Sequence, residues 1–243
     1  MLGEALTRGD ATGPRLRVSL CLLTWKEIAG CRHDVPQLPL DEFDEVYAVD
    51  GGSQDGTVEY LQSSGIRVIQ QPKRGYNQAY LCAFAHCTSD ALVLFHPKGS
   101  VDPREVLKFR PFFEQGYGLI IASRMVQGAR NEEDDRLLRP RKWFVLALGL
   151  LASLVWRRKG PIIWDVLHGF RGMRHNCFYA IDPLDHGVSI DMEMVVRSYR
   201  KGFRAIEFPV VEKPRLEGTT HFKALRTGRQ LLSYLFAEYK RDA

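Results

Sequence analysis

The segment Glu45-Val46-Tyr47-Ala48-Val49-Asp50-Gly51-Gly52-Ser53-Gln54-Asp55-Gly56-Thr57 decides the fold. Glu45 to Val49 reads as a short strand, and Thr57 to Gln62 reads as the start of a helix. Between them an aspartate closes the strand, where it is placed to accept hydrogen bonds from a ribose or a base. Gly51, Gly52 and Gly56 permit turns that a side chain would obstruct, and Asp55 or Ser53 can cap the helix. The block lacks the Gly-Lys-Ser/Thr ending of a P-loop and the spacing of G-x-G-x-x-G. Taken alone, it could equally be an ordinary glycine-rich turn with an N-cap.

Working outward, short aliphatic runs recur at Leu16 to Thr24, Arg67 to Gln70, Ala91 to Phe95, Gly118 to Ser123 and Arg204 to Val210. Helical patterns occupy Tyr76 to Cys87, Asp191 to Arg200 and Lys223 to Lys240. Alternating strands and helices predict an α/β chain with a mostly parallel central sheet, covered on both faces. Ligands then bind outside the carboxyl ends of the strands. The expected organisation is a tail over 1–15, a main domain over 16–222 and an amphipathic C-terminal helix over 223–243. The acidic run Glu132 to Asp135 reads as a solvated loop.

Of 243 residues, 45% are hydrophobic and 26% charged, which excludes disordered and fibrous classes. The formal charge of +5 suits an acidic partner but is too small to indicate nucleic acid. Cys21, Cys31, Cys82, Cys87 and Cys177 are scattered and odd in number, which favours a reducing compartment over a disulfide framework or zinc site. Met1 to Arg17 shows no apolar core of a signal peptide. Trp143 to Trp156 (WFVLALGLLASLVW) carries no charge, with Arg139, Arg141 and Lys142 before it and Arg157, Arg158 and Lys159 after it. It falls short of the ~20 apolar residues that span a bilayer. It reads either as a buried core helix or as a helix at a bilayer surface, with a tryptophan at headgroup depth at each end.

Six blocks in order resemble the inverting family-2 glycosyltransferases of GT-A fold, most closely the polyprenyl-phosphate (dolichyl-phosphate) mannose or glucose synthase branch. Leu23-Thr24-Trp25-Lys26-Glu27 is similar to P-T-Y-N-E, and Val49 to Thr57 to V-D-D-x-S-x-D-G-T. Arg74 to Ala79 matches a helix start rich in small residues, and Ala122-Ser123-Arg124 matches G-S-R. Asp165, Gly169, Phe170 and Arg171 complete D-x-x-x-G-F-R, and Arg200 to Pro209 completes R-K-G-x-R-x-x-E-x-P. The resemblance spans roughly Val18 to Phe222. It implies a nucleotide-sugar donor held by Thr24, Glu27, Asp50, Asp55 and Arg74. It also implies a lipid-phosphate acceptor received by Arg124 with Arg139 or Arg141, with Arg171 and His221 as further acceptor contacts. The apolar helix would then hold the chain peripherally at the cytoplasmic face of a membrane. Asp191 and Glu193 stand where the family keeps an acidic residue, and either is a candidate general base should the acceptor be a hydroxyl.

One departure stands out. Where the family carries D-x-D for a divalent metal, this sequence reads His96-Pro97-Lys98. Mg²⁺ and Mn²⁺ take oxygen ligands, so the usual metal site is expected to be missing. Lys98, with His96, would then take the cation's electrostatic role against the donor diphosphate. Alternatives are a catalytically silent binding relative, a metal held elsewhere by Asp50 and Asp102, or a cytosolic enzyme with a glycan acceptor and a buried apolar helix. Gly51 in place of Asp and Lys26 in place of Asn also point to a rearranged donor site.

Overall fold

A computed structural model describes residues 15–135, 137–217 and 224–241. Seven strands, β1 Val18–Thr24, β2 Glu45–Asp50, β3 Arg67–Gln70, β4 Ala91–Phe95, β5 Leu119–Ser123, β6 Arg171–Arg174 and β7 Ala205–Pro209, form one sheet in the order β3-β2-β1-β4-β6-β5-β7. Every pairing is parallel except those of β6, which runs against both β4 and β5. The helices are α1 Ile28–Asp34, α2 Thr57–Ser63, α3 Tyr76–His86, α4 Phe109–Glu114, α5 Pro140–Trp156, α6 His175–Ala180, α7 Ile190–Lys201 and α8 Ala224–Lys240.

The twofold alternation of strand side chains sorts β1 between two cores. Cys21 and Leu23 join α3, α5, α7 and α8 on one face, while Val18, Leu20 and Leu22 join α1, α2 and α4 on the other. Both faces are covered, which is why β1, β4 and β5 carry no exposed residue and read as continuous apolar runs. The strand β6 was not anticipated: Arg-Gly-Met-Arg has no aliphatic run, and its place in the sheet comes from filling the gap between β4 and β5.

One face of the apolar helix is buried in the core and the other is exposed. Val145, Leu148, Gly149, Ala152 and Trp156 face the core, whereas Trp143, Leu150, Leu151, Leu154 and Val155 face outward. The expectation of a tryptophan at headgroup depth at each end is corrected. Trp143 is 52% exposed, but Trp156 is only 6% exposed and packs inside. No described helix is long and apolar enough to cross a membrane.

The acidic run is not simply solvated, again contrary to expectation. Glu133 is buried and accepts a hydrogen bond from Lys142 N at 3.1 Å, Asp134 pairs with Arg139 and Lys142, and Glu132 pairs with Arg141. Basic side chains at the N-terminus of α5 oppose the helix dipole, and the preceding carboxylates compensate them. Finally, α8 belongs to the same core. Leu231, Tyr234 and Leu235 are buried, and its buried Glu238 accepts from Arg197 and Arg200.

Candidate active site

Register places Thr24 beside Asp50 at the ends of β1 and β2. Asp50 is fully buried and takes four donors: Thr24 Oγ1 at 3.0 Å, Gly52 N at 2.9 Å, Ser53 N at 2.7 Å and Ser53 Oγ at 2.6 Å. It therefore shapes the turn that borders the cleft. Ser53 Oγ also accepts from Lys26 N at 2.7 Å, and Lys26 sits at φ 56°. Asparagine, the family residue there, enters that region more readily than lysine. Asp55, rather than Ser53, supports the start of α2 through Thr57 Oγ1 at 2.6 Å and Thr57 N at 3.2 Å. Trp25 packs over Gly51, its Cβ 3.3 Å from where a Cβ on residue 51 would lie, so the family's second Asp has been exchanged for indole contact. The Arg74 guanidinium lies 3.7 Å from the centre of the Trp25 ring.

The loop after β4 is clamped on α1. A side chain at Gly30 would overlap the Pro97 carbonyl, and Asp34 Oδ2 accepts from Gly99 N at 2.8 Å. This fixes His96 and Lys98 at the strand end. Burial, then the neighbouring charge of Arg215, lowers the Lys98 ammonium from its usual range, and Glu27 and Glu212 oppose that shift. Lys98 makes no ion pair or hydrogen bond through its ammonium with any described residue. His96 stands beside Tyr76, with ring centres 6.3 Å apart, and its buried Nε2 has no hydrogen-bond partner among the described residues. Burial and the Lys98 charge push His96 well below the usual histidine range, so the imidazole is neutral. Gly169 permits this approach, because a Cβ there would sit 2.5 Å from His96 Nε2.

Arg124, at the end of β5, donates through Nε and Nη2 to Asp165 at 2.8 and 2.9 Å and through Nη1 to Glu212 at 3.1 Å. Burial alone would raise the Asp165 carboxyl, but Arg124 outweighs it and holds it well below the carboxylate range. Glu207 positions the same loop by accepting from Trp164 N at 2.8 Å and Asp165 N at 2.7 Å. His168 hydrogen-bonds the Ala122 carbonyl, and burial, with Arg124 nearby, lowers its pKa to about 4. Glu27 pairs with Arg215 at 2.8 Å.

The predicted residues divide accordingly. Thr24, Glu27, Asp50, His96, Lys98 and Arg124 lie at or just beyond the C-terminal ends of β1, β2, β4 and β5, and Asp55 and Arg74 contact the segment that follows β1. Arg171, read from the resemblance as an acceptor contact, does not. It is fully buried and donates to the carbonyls of His168 (2.6 and 2.8 Å) and Asp191 (2.7 Å), with Asp191 Oδ1 3.0 Å away. Arg139 and Arg141 are occupied by the acidic loop. Asp191 accepts from Tyr76 at 2.6 Å and Tyr80 at 2.8 Å, and Glu193 from Asn77, Leu184 N and Ser189, so both candidate bases are bound into the core. His221 lies outside the described residues. Sequence reasoning missed Tyr76, Glu212 and Arg215, whose partners are remote along the chain, and it quoted Glu207 within the R-x-x-E-x-P block without giving it a role.

The donor set at the D-x-D position does not fit a hard divalent cation. It offers an imidazole, a proline and an ammonium, and Asp102 is committed to Arg104 at 2.8 Å. The pair Asp50 and Asp102 likewise forms no site, and among the described residues no three His, Cys, Asp or Glu converge.

The sequence profile described as glycosyl transferase family 2 matches residues 23–181. Glycosyltransferase AglJ of Haloferax volcanii is 24% identical over 232 residues, covering 91% of this chain and 72% of that protein. The dolichyl-phosphate hexose transferase of the same organism is 27% identical over 171 residues, covering 70% and 71%. Glucosyl-3-phosphoglycerate synthase from Mycobacterium tuberculosis, crystallised with Mn²⁺, UDP and phosphoglyceric acid, superposes with a TM-score of 0.70 at 18% identity, covering 92% of this chain and 78% of that one. The profile match over most of the chain, on a seven-stranded, mostly parallel GT-A sheet, places the protein in glycosyl transferase family 2.

Proposed function

We propose that the chain transfers a hexose, with inversion, from a nucleotide sugar to a polyprenyl phosphate or related lipid-linked acceptor, with Lys98 in the role that a metal ion fills in D-x-D enzymes. An acceptor phosphate oxygen forms the new bond to the anomeric carbon, and the sugar–diphosphate bond breaks with its electron pair leaving on the nucleoside diphosphate. The observation that carries this reading is the half-buried Lys98 side chain, whose ammonium forms no ion pair with a described carboxylate, just beyond the end of β4 where diphosphate charge would build up. The enclosure of Asp191 and Glu193 supports a phosphate acceptor, because an ionised phosphate needs no base whereas a sugar hydroxyl does. Arg124 remains the candidate acceptor-phosphate contact, with Asp165 and Glu212 as its present counter-ions. The named activity of the Haloferax volcanii hexose transferase agrees with this class of acceptor.

The reading includes a peripheral position at the cytoplasmic face of a membrane. Phe144 of α5 packs 3.5 Å from where a Cβ on Gly228 of α8 would lie, and α8 also exposes Leu225, Leu232, Phe236 and Tyr239. Exposed Arg157, Arg158, Lys159, Arg226 and Arg229 suit an anionic lipid surface.

The function is tested by offering labelled UDP- and GDP-hexoses with a polyprenyl phosphate, with and without EDTA. A lipid-linked hexose formed equally in EDTA is the expected product, and transfer only to a soluble glycan would overturn the lipid reading. Membrane contact is tested separately by flotation on vesicles containing phosphatidylglycerol. Wild type is expected to float at low salt. A Leu150→Glu/Leu154→Glu variant should lose at least tenfold in partitioning, since each buried leucine contributes roughly 1.5–3 kcal/mol.

A further inference from the structure

The chain after β7 turns back over the loop that carries Lys98. Lys213 N donates to the Ser100 carbonyl at 2.7 Å and Leu216 N to the Lys98 carbonyl at 3.3 Å, while the Leu216 side chain covers Gly99. Arg215 is thereby delivered into the cleft, where its Nη2 meets Glu27 Oε1 at 2.8 Å. Glu27 itself follows β1, so one ion pair joins segments 188 positions apart along the chain. After burial, the Arg215 charge also lowers the Lys98 ammonium from its usual range.

We propose that Arg215 is a second diphosphate-binding cation, with Glu27 as its resting partner, so that Lys98 and Arg215 together grip a nucleoside diphosphate. The proposal rests on the cleft taking a nucleotide donor, as above, and adds a residue and an exchange of partners. Arg215 pairs with the half-buried Glu27, and residues 213–216 cover the loop that bears Lys98, so the two cations form a site that a diphosphate satisfies better than Glu27 does. Arg215 can present a planar fork to phosphate oxygens, whereas Lys98 acts as a point charge. Glu27, which the resemblance assigns to the nucleoside, is in this arrangement the counter-ion that keeps Arg215 in place between turnovers.

The test compares diphosphates with monophosphates, so that contacts to base and ribose cancel. UDP, UMP, GDP and GMP are titrated calorimetrically against wild type, Arg215→Ala, Arg215→Lys, Glu27→Gln and Lys98→Met, in EDTA and again in Mn²⁺. For whichever base binds, Arg215→Ala should lower the diphosphate-to-monophosphate affinity ratio at least tenfold. Arg215→Lys should recover part of the ratio, and Glu27→Gln should hold or raise it. Weakening of UDP and UMP by the same factor in Arg215→Ala would reduce Arg215 to a structural strap and overturn the proposal, as would an unchanged ratio. A ratio lost in Arg215→Ala but unaffected in Lys98→Met would remove the role given to Lys98 and leave that of Arg215. Wild type binding none of the four nucleotides would overturn both.

Discussion

Lys98→Met is expected to lower the rate constant for sugar transfer by on the order of 10²–10³-fold, the usual loss when one fixed electrostatic stabiliser of developing charge is removed. Methionine keeps the length of the side chain and removes its charge. The loss should appear in kcat more than in KM, because the diphosphate gains charge as the bond to the anomeric carbon breaks. The ammonium is suited to this task by its surroundings. The loop that bears it is held by the Gly30 contact and by Asp34. Wild-type turnover should be the same in EDTA and in Mn²⁺. Wild-type turnover lost in EDTA and restored by Mn²⁺, or a methionine variant as fast as wild type, would reject Lys98 as the substitute for a metal.

The second large effect is on stability. Arg171→Met should destabilise the fold by about 3–5 kcal/mol, the range found when one partner of a buried ion pair is removed. In a chain of this size that corresponds to a fall in melting midpoint of roughly 6–20 °C. The variant strips the His168 and Asp191 carbonyls of their guanidinium donors and leaves the Asp191 carboxylate with two tyrosine hydroxyls and no cation. Thermal melts followed by circular dichroism check this. An acceptor-binding arginine would behave oppositely, with an unchanged midpoint and a raised KM for the acceptor, and that result would reinstate the role implied by the resemblance.

Those two arginine and lysine positions show what could be read from the chain and what could not. The strands β1, β2, β4 and β5 were legible because both faces of the sheet are covered, so aliphatic runs are required there. The strand β6 was illegible because its burial depends on the two neighbours it fills between. Residue types at the strand ends were legible too, but their partners were not. Asp50 stands where a strand-end carboxylate was expected, yet four local donors occupy it. Arg124 finds Asp165 and Glu212, and Glu27 finds Arg215 from 188 positions away, pairings that depend on the sheet order and leave no trace in spacing. The same holds for α5: its sequence is apolar all round, and only the packed structure shows which tryptophan is covered.

The reversed strand also bears on how the chain reaches its folded state. As the ribosome releases it, β4 emerges as a wholly apolar ribbon with one side already paired to β1. Its other side must wait until Arg171–Arg174 has been made, and the greasy helix α5 appears in the interval. An unpaired apolar strand edge is a template for pairing with other molecules, and long-range pairing of this kind forms slowly. The nascent protein thus passes through a stage exposed to self-association, which ends only when the antiparallel strand closes the gap.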